Sequence, residues 1–402
     1  MSKLPITVTD QPVRIEKLVP GGQGIGARED GKKGFFWNAL PGETVVKYKI
    51  IKQKSHYFEA IAEEVKNPSE HRIAPKDLCF LSTSPWQIMD YTYELKQKKL
   101  ILEELFRQFN LKIDENLLPK SVQTDNHDFF YRNKMEYALY WNNETEKIDL
   151  AFHIRGTHHK MPISSSSIER PEIFEHATKI ITDLNKNHAE ARKYQSLLLR
   201  ANQTGEISGG LYENNKPHPV FPNLTDKILG KEYSYSPNGF FQINLPVYEM
   251  ALEKIKEHIK TENVLDLYAG VGTIGLSVAG DKNLTLVENS KAAFKELEKN
   301  TSSVSNATAI LSNSEDVLSY IAPDQTVILD PPRAGCDQKL LEKLLETKPK
   351  NIIYLSCNPA TQARDLEILT KIYHIKNITP YNFFPRTPHL ENLVILSISP
   401  DE

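Results

Sequence analysis

From about residue 236 onward, apolar runs rich in β-branched residues alternate with stretches of helical periodicity. The strand-like runs are Asn263 to Tyr268, Leu284 to Glu288, Ala307 to Leu311, Thr326 to Asp330 and Asn351 to Ser356. Between them lie helical stretches at Thr273 to Ala279, Lys291 to Asn300, Gln338 to Thr347 and Ala360 to Ile372. A helix after each strand carries the chain back across the sheet, so the strands pair in parallel and the fold class is α/β, doubly wound. The end departs from this rhythm. His374 to Thr379 and Leu393 to Ser399 follow one another without a helix, which predicts an antiparallel pair at the sheet edge.

Ligands of such folds bind outside the carboxyl ends of the strands, and chemistry-bearing residues gather there in this sequence. Asp266-Leu267-Tyr268-Ala269-Gly270-Val271-Gly272-Thr273-Ile274-Gly275 joins the first strand to its helix, and Glu288 closes the next strand. Glycines let backbone approach a cofactor, and a carboxylate at that place binds ribose hydroxyls. Gly270, Gly272 and Gly275 also satisfy a dinucleotide fingerprint, so a nicotinamide-dependent oxidoreductase is a rival reading at this point. Asp330-Pro331-Pro332-Arg333 ends the fourth strand in a stiff turn. Ser356-Cys357-Asn358-Pro359 ends the fifth, and Pro388-His389-Leu390-Glu391 precedes the last. A thiol, a carboxylate able to accept a proton and a rigid acidic turn suggest covalent catalysis on a ring. A cysteine after a strand is usually an inert core residue, but its company here favours a nucleophile.

Residues 1–66 carry short strand-like runs at Val13 to Leu18, Gly34 to Asn38, Thr44 to Ile51 and Tyr57 to Val65. Turn signals at Gly21-Gly22, Gly24, Gly26, Asp30-Gly31 and Pro41-Gly42 separate them, which suggests a small barrel. The segment holds 11 Lys and Arg against 8 acidic residues, in a chain of net charge −3. Lys47, Lys49, Lys52 and Lys54 lie near Phe35, Phe36, Trp37 and Tyr48, a mixture suited to RNA phosphates and bases. A solvated strand edge guarded by lysines is the other reading. Residues 67–235 are mixed: helical stretches at Tyr93 to Phe109 and within Ile173 to Ala201, paired strands at Phe129 to Trp141 and Lys147 to His153, and a loop at Arg155 to Ser167. Three distant cysteines make no disulfide framework, which suggests a reducing cytoplasm. Met1 to Pro12 has no apolar core of signal-peptide type, and no run is long enough to span a membrane.

The chain resembles the RNA 5-methyluridine methyltransferases, a group containing bacterial ribosomal and transfer RNA uracil-C5 enzymes. The matching runs are Tyr131-Arg132-Asn133-Lys134, Phe240-Phe241-Gln242-Ile243-Asn244, the glycine turn, Asp330 to Gly335, Tyr354 to Arg364 and Thr387 to Glu391. The resemblance implies three parts: an OB-like TRAM barrel at 1–66, a central α+β RNA-binding domain at 67–235, and a Rossmann-like S-adenosylmethionine-dependent methyltransferase domain at 236–402. It makes Cys357 the nucleophile and Glu391 the base. Gln242, Tyr268, Thr273, Glu288, Asn313 and Asp330 fall around S-adenosylmethionine, and Arg132 and Phe240 against the RNA. It implies a monomer that acts on RNA, ribosomal rather than transfer RNA, with no membrane partner. Cys336 has no role in the family and reads as packing.

One departure concerns metal. Many relatives hold an iron–sulfur cluster through C-x5-C-x2-C and a fourth cysteine. Here Cys79 stands alone, with Leu81 and Ser84 near the expected positions and Ser164 to Ser167 at the later one. A cluster takes four thiolates, so none is expected to bind, and His158-His159 reads as an exposed pair. A non-catalytic RNA-binding protein on a methyltransferase scaffold is a rival from another class, though such a binder needs neither Cys357 nor Glu391.

Overall fold

The computed structural model describes residues 6–398; residues 1–5 and 399–402, with Ser399 of the last expected strand, lie outside the described residues. Near the C-terminus seven strands form one sheet: β1 (Asn263–Leu267), β2 (Asn283–Glu288), β3 (Ala307–Leu311), β4 (Gln325–Leu329), β5 (Asn351–Ser356), β6 (His374–Tyr381) and β7 (Glu391–Ser397). Their order is β3-β2-β1-β4-β5-β7-β6. β1 to β5 are parallel, while β7 runs antiparallel to both β5 and β6. The antiparallel pair thus closes the sheet as expected, with β6 at the edge.

Burial explains why these strands were readable. Successive residues enter opposite cores: Val264, Ile328 and Ile353 pack with helices Leu245–Glu257 and Thr273–Val278. Leu265, Val327 and Ile352 pack with helices Gln338–Thr347 and Pro359–Leu369. A parallel sheet covered on both faces needs apolar residues at every position, so its strands read as unbroken runs.

The N-terminal part is a seven-stranded, mostly antiparallel sheet around Val13, Ile15, Phe36, Tyr48 and Phe58. Gly24 and Gly26 do not mark a turn there; they lie in strand Gly24–Ala27. A side chain on Gly26 would come within 2.2 Å of the Arg14 carbonyl oxygen, so the glycine permits strands to approach. The aromatic residues next to the lysines are also corrected. Phe36 and Tyr48 are fully buried and Trp37 nearly so, so they form the core instead of a stacking surface. Phe35 remains half-buried, edge-on to Tyr57, and Lys47 and Lys52 pair with Glu63 and Glu59 across the sheet.

The central part has a six-stranded antiparallel sheet backed by helix Pro171–Leu184. The helical stretch expected within Ile173 to Ala201 is helix Pro171–Leu184, and the end of that range, Ser196–Ala201, is a strand. Its Leu197-Leu198-Leu199 run is buried throughout, and a short apolar run does not distinguish helix from strand by period. The expected strand from Phe129 begins only at Lys134, and the Arg155 to Ser167 loop contains a short strand, Lys160–Pro162.

Candidate active site

Cys357 follows β5 directly and precedes helix Pro359–Leu369. Asn358 caps that helix by accepting from the Ala360 N–H, and Pro359 opens it, so the chain turns sharply at the thiol. The same asparagine donates to the Arg333 carbonyl at 2.8 Å, and Thr361 Oγ1 donates to it at 3.1 Å. The Asp330-Pro-Pro-Arg turn is thereby tied to the cysteine turn.

Strand register supplies the pairing that sequence could not. Ser356 lies opposite Asn392 in the β5–β7 ladder, so the next step sets Cys357 opposite Glu391. Cross-strand neighbours sit ~5 Å apart at Cβ. Gln362 locks this end of the ladder, donating to the Tyr354 and Asn392 carbonyls at 2.9 and 3.0 Å.

Cys357 and Glu391 share a cavity of about 560 Å³ with Gln242, Tyr268, Thr273, Glu288, Asp330 and Phe240. Volumes of this order are usual for small-molecule and cofactor sites. At one end Glu288 accepts from the Gly270 and Ser290 backbone N–H groups at 2.8 and 2.6 Å. Tyr268, Gly270 and Gly272 all have positive φ, which bends the turn around the cavity. Asp266 is not on the wall: it is fully buried and accepts from the Gly275 N–H at 2.8 Å, fixing the turn from beneath. At the other end the carboxyls of Asp330 and Glu391 have no hydrogen-bond partner among the described residues. Burial pushes Asp330 up to about 7 and Glu391 well above the usual carboxylate range, with Asp330 adding repulsion and Arg333 opposing it. Burial also raises the Cys357 thiol to about 11, reinforced by Glu391 and Asp330 and opposed by Arg333.

Two expected residues fall elsewhere. Asn313 is exposed, donates to Asp316 at 2.8 Å and does not line the cavity. Arg132 lines an adjoining cleft of about 340 Å³, which shares Phe240, Phe241, Gln242 and Phe384 with the cavity. Phe240, 77% exposed, stands at the junction. Sequence reasoning missed Tyr248 and Phe384 on the cavity wall. Phe384 lies three residues before the Thr387–Glu391 motif and packs its ring against His389. His389 also lines the cavity, and burial, then the Arg333 charge, depress it to about 4.

Around Cys79, Ser84 and Ser167, polar groups satisfy one another. Asp77 accepts from Ser167 and Gln87 at 2.7 Å each, and Gln87 donates to Ser84 at 2.7 Å. Cys79 is buried nearby, and no group of three His, Cys, Asp or Glu residues among the described residues is arranged to hold a metal. His158 and His159 are exposed, and Cys336 is buried as packing. No helix among the described residues is long and apolar enough to cross a membrane.

Sheet order, glycine turn and acidic strand ends define a doubly wound fold with a nucleotide-type site at its topological switch. Residues 313–399 match the family model described as tRNA (Uracil-5-)-methyltransferase. An uncharacterised RNA methyltransferase of Lactobacillus johnsonii is 29% identical, over 92% of this chain and 94% of its own length. One from Enterococcus faecalis is 28% identical over the whole of both chains. A crystal structure of Pyrococcus abyssi tRNA (uracil-54, C5)-methyltransferase with S-adenosyl-L-homocysteine superposes with a TM-score of 0.75. That protein is 23% identical, covers 96% of this chain and 99% of its own, and so establishes the fold. The family match and the names of these relatives, all RNA methyltransferases, agree with the RNA uracil-C5 methyltransferase family that the motifs resemble.

Proposed function

We propose that the protein methylates C5 of uridine in RNA through a covalent adduct between Cys357 and C6. The observation that carries this reading is that Cys357 and Glu391, one step beyond the Ser356–Asn392 pair, line one cavity with Asp330 and Glu288. The residues present suit S-adenosylmethionine: an acceptor, Glu288, for the ribose; backbone bent open at Gly270; and Asp330, a half-buried carboxyl on the cavity wall. When bound, S-adenosylmethionine supplies an electrophilic methyl group. We assign Gln242, Tyr268, Thr273, Glu288 and Asp330 to holding it, and drop Asn313 because its side chain is engaged outside the cavity.

Ring carbon 5 of uracil is a weak nucleophile. The Cys357 thiolate forms a bond to C6, and the electrons of the C5=C6 double bond move into an enolate, making C5 nucleophilic. C5 takes the methyl group. Glu391 then removes the C5 proton, the double bond re-forms and the C6–S bond breaks to return the thiolate. A buried carboxyl held above its usual range is a stronger base once ionised, the form in which it accepts the C5 proton. Phe240 and Arg132 meet the flipped nucleotide and its neighbours.

We assign residues 236–402 to methyl transfer, 67–235 to positioning the RNA, and 1–66 to a TRAM-like grip on it, through Lys49 and the basic face more than through aromatic stacking. Ribosomal RNA is our substrate reading, from the likeness of the N-terminal part to TRAM modules. Transfer RNA is the second reading, favoured by the description of the matching family and the name of the Pyrococcus abyssi protein. The test is mass spectrometry of nucleosides from cells with and without the protein: 5-methyluridine should vanish from one site in ribosomal RNA. Its loss from transfer RNA alone selects the second reading, and no loss from any RNA refutes both.

A further inference from the structure

The cleft beside the cavity carries more positive charge than holding its own walls requires. Arg132, Lys134 and Arg200 all line it, and the acid on its walls, Glu136, is exposed. Asp226 faces Arg200 from another side, but its carboxylate already accepts from the Tyr235 hydroxyl at 2.5 Å and the Gln203 N–H at 2.6 Å. Arg200 is fully buried: it donates to the Phe241 carbonyl at 2.5 Å and weakly to Gly239 at 3.4 Å. Its shielded Nε has no partner. Lys134 Nζ donates to the Asn238 and Gly239 carbonyls at 3.3 and 3.2 Å. Arg132 uses Nε to reach the Lys134 carbonyl at 2.8 Å, and its two terminal nitrogens have no partner among the described residues.

Carbonyl oxygens carry only partial charge, and the two acids, Asp226 facing Arg200 and Glu136 facing Lys134, leave the three cations in excess. Burial first, then the charges of Arg200 and Arg132, hold the Lys134 ammonium down at about 8 despite the opposing pull of Glu136. An anion in the cleft relieves that crowding, and bidentate or multiple N–H donation suits a phosphate. Position narrows the source of the anion. The cleft and the Cys357 cavity share Phe240, Phe241, Gln242 and Phe384, so a strand whose base enters one must lay its backbone along the other.

We infer that this cleft binds a backbone phosphate of the RNA strand next to the reacting uridine, with Lys134 and Arg132 as outer ligands and Arg200 as the inner cation. The choice of RNA rests on the methyl-transfer reading; the charge site does not. The contrasting possibility is that Lys134 and Arg200 only brace the loop that presents Phe240.

The test uses the full chain and a fluorescently labelled short oligouridylate, with binding read by anisotropy against salt. Each phosphate neutralised on a single strand adds about 0.7 to the slope of log K against log salt. Lys134→Gln, which keeps a donor for the carbonyls, should lower the slope by about that amount, and Lys134→Arg should keep it. An oligouridylate with a neutral methylphosphonate backbone should bind wild type and Lys134→Gln alike. An unchanged slope in Lys134→Gln, or equal losses on both backbones, overturns the proposal in favour of a brace. Inorganic phosphate that displaces the oligouridylate at equal concentration overturns it in favour of a free anion. Methylation is not read, so a slope change in a protein that fails to methylate uridine sinks the activity and leaves the phosphate site standing.

Discussion

Replacing Lys98 by methionine should destabilise the protein by ~3 kcal/mol or more, because it breaks a buried ion pair from one side. Lys98, on helix Tyr91–Gln108, is 1% exposed and pairs with the fully buried Glu94 at 2.9 Å. It also donates to Asn382 Oδ1 at 2.5 Å and the Phe384 carbonyl at 3.1 Å. Glu94 accepts from the Arg386 N–H at 3.0 Å and Asn382 Nδ2 at 3.2 Å, and the Arg386 guanidinium lies 3.9 Å away. Breaking one side of a buried pair costs ~3–5 kcal/mol. The nearby arginine partly compensates, which sets the estimate at the low end. Lys98→Met with Glu94→Gln removes both charges and should recover ~1–2 kcal/mol of the loss. The assay is equilibrium unfolding in urea, read by midpoint and slope. Since the network fixes the segment from Asn382 to Arg386, just before Glu391, methyl transfer should also fall at temperatures where Lys98→Met is folded. A single variant within ~1 kcal/mol of wild type, or a double variant no better than the single, would refute the reasoning.

Glu288→Gln keeps one acceptor oxygen but turns an amide N–H₂ toward a backbone N–H, either Gly270 or Ser290. Losing a charge-assisted bond costs ~2–3 kcal/mol, so calorimetry should find S-adenosylmethionine affinity lower by roughly 30- to 150-fold; parity with wild type would contradict the assignment. Asp330 and Asp266, raised from 3.8 to about 7 and about 8, bind their protons more tightly folded than unfolded. Their contribution is therefore fully present below pH ~4 and is lost as pH rises through ~8, so urea midpoints should decline across that window and flatten in Asp330→Asn; equal slopes would refute it. Purified protein prepared without oxygen should be colourless and contain no stoichiometric iron, and about four irons per chain would overturn that expectation.

How much was legible follows from burial. β1, β2, β4 and β5 are covered on both faces, so apolar runs marked each within a residue or two, while the outer strand β3 is only partly buried. Cys357, Asp330 and Glu391 were legible because each ends or begins such a strand. Their union was not, since it depends on β7 inserting between β5 and β6, a fact of sheet order. Lys98 looked like one more helix-surface lysine, because the groups that bury it lie more than 280 residues later. Arg200 likewise reaches a partner far along the chain, the Phe241 carbonyl 41 residues later. In the N-terminal part, the alternation of Phe35 and Phe36 decided which aromatic is buried, and composition does not report alternation.

The central claim is that Cys357 attacks the ring and Glu391 ends the adduct. Glu391→Gln, incubated with S-adenosylmethionine and in vitro transcribed RNA bearing the target uridine, tests it on a denaturing gel with mass spectrometry of the digested complex. Addition and methylation proceed without the base but proton removal does not, so a protein–RNA conjugate linked through Cys357 and one methyl group heavier than simple addition should accumulate. The same variant carrying Cys357→Ala should form none. Full turnover by Glu391→Gln, or a conjugate that persists without Cys357, would contradict the account.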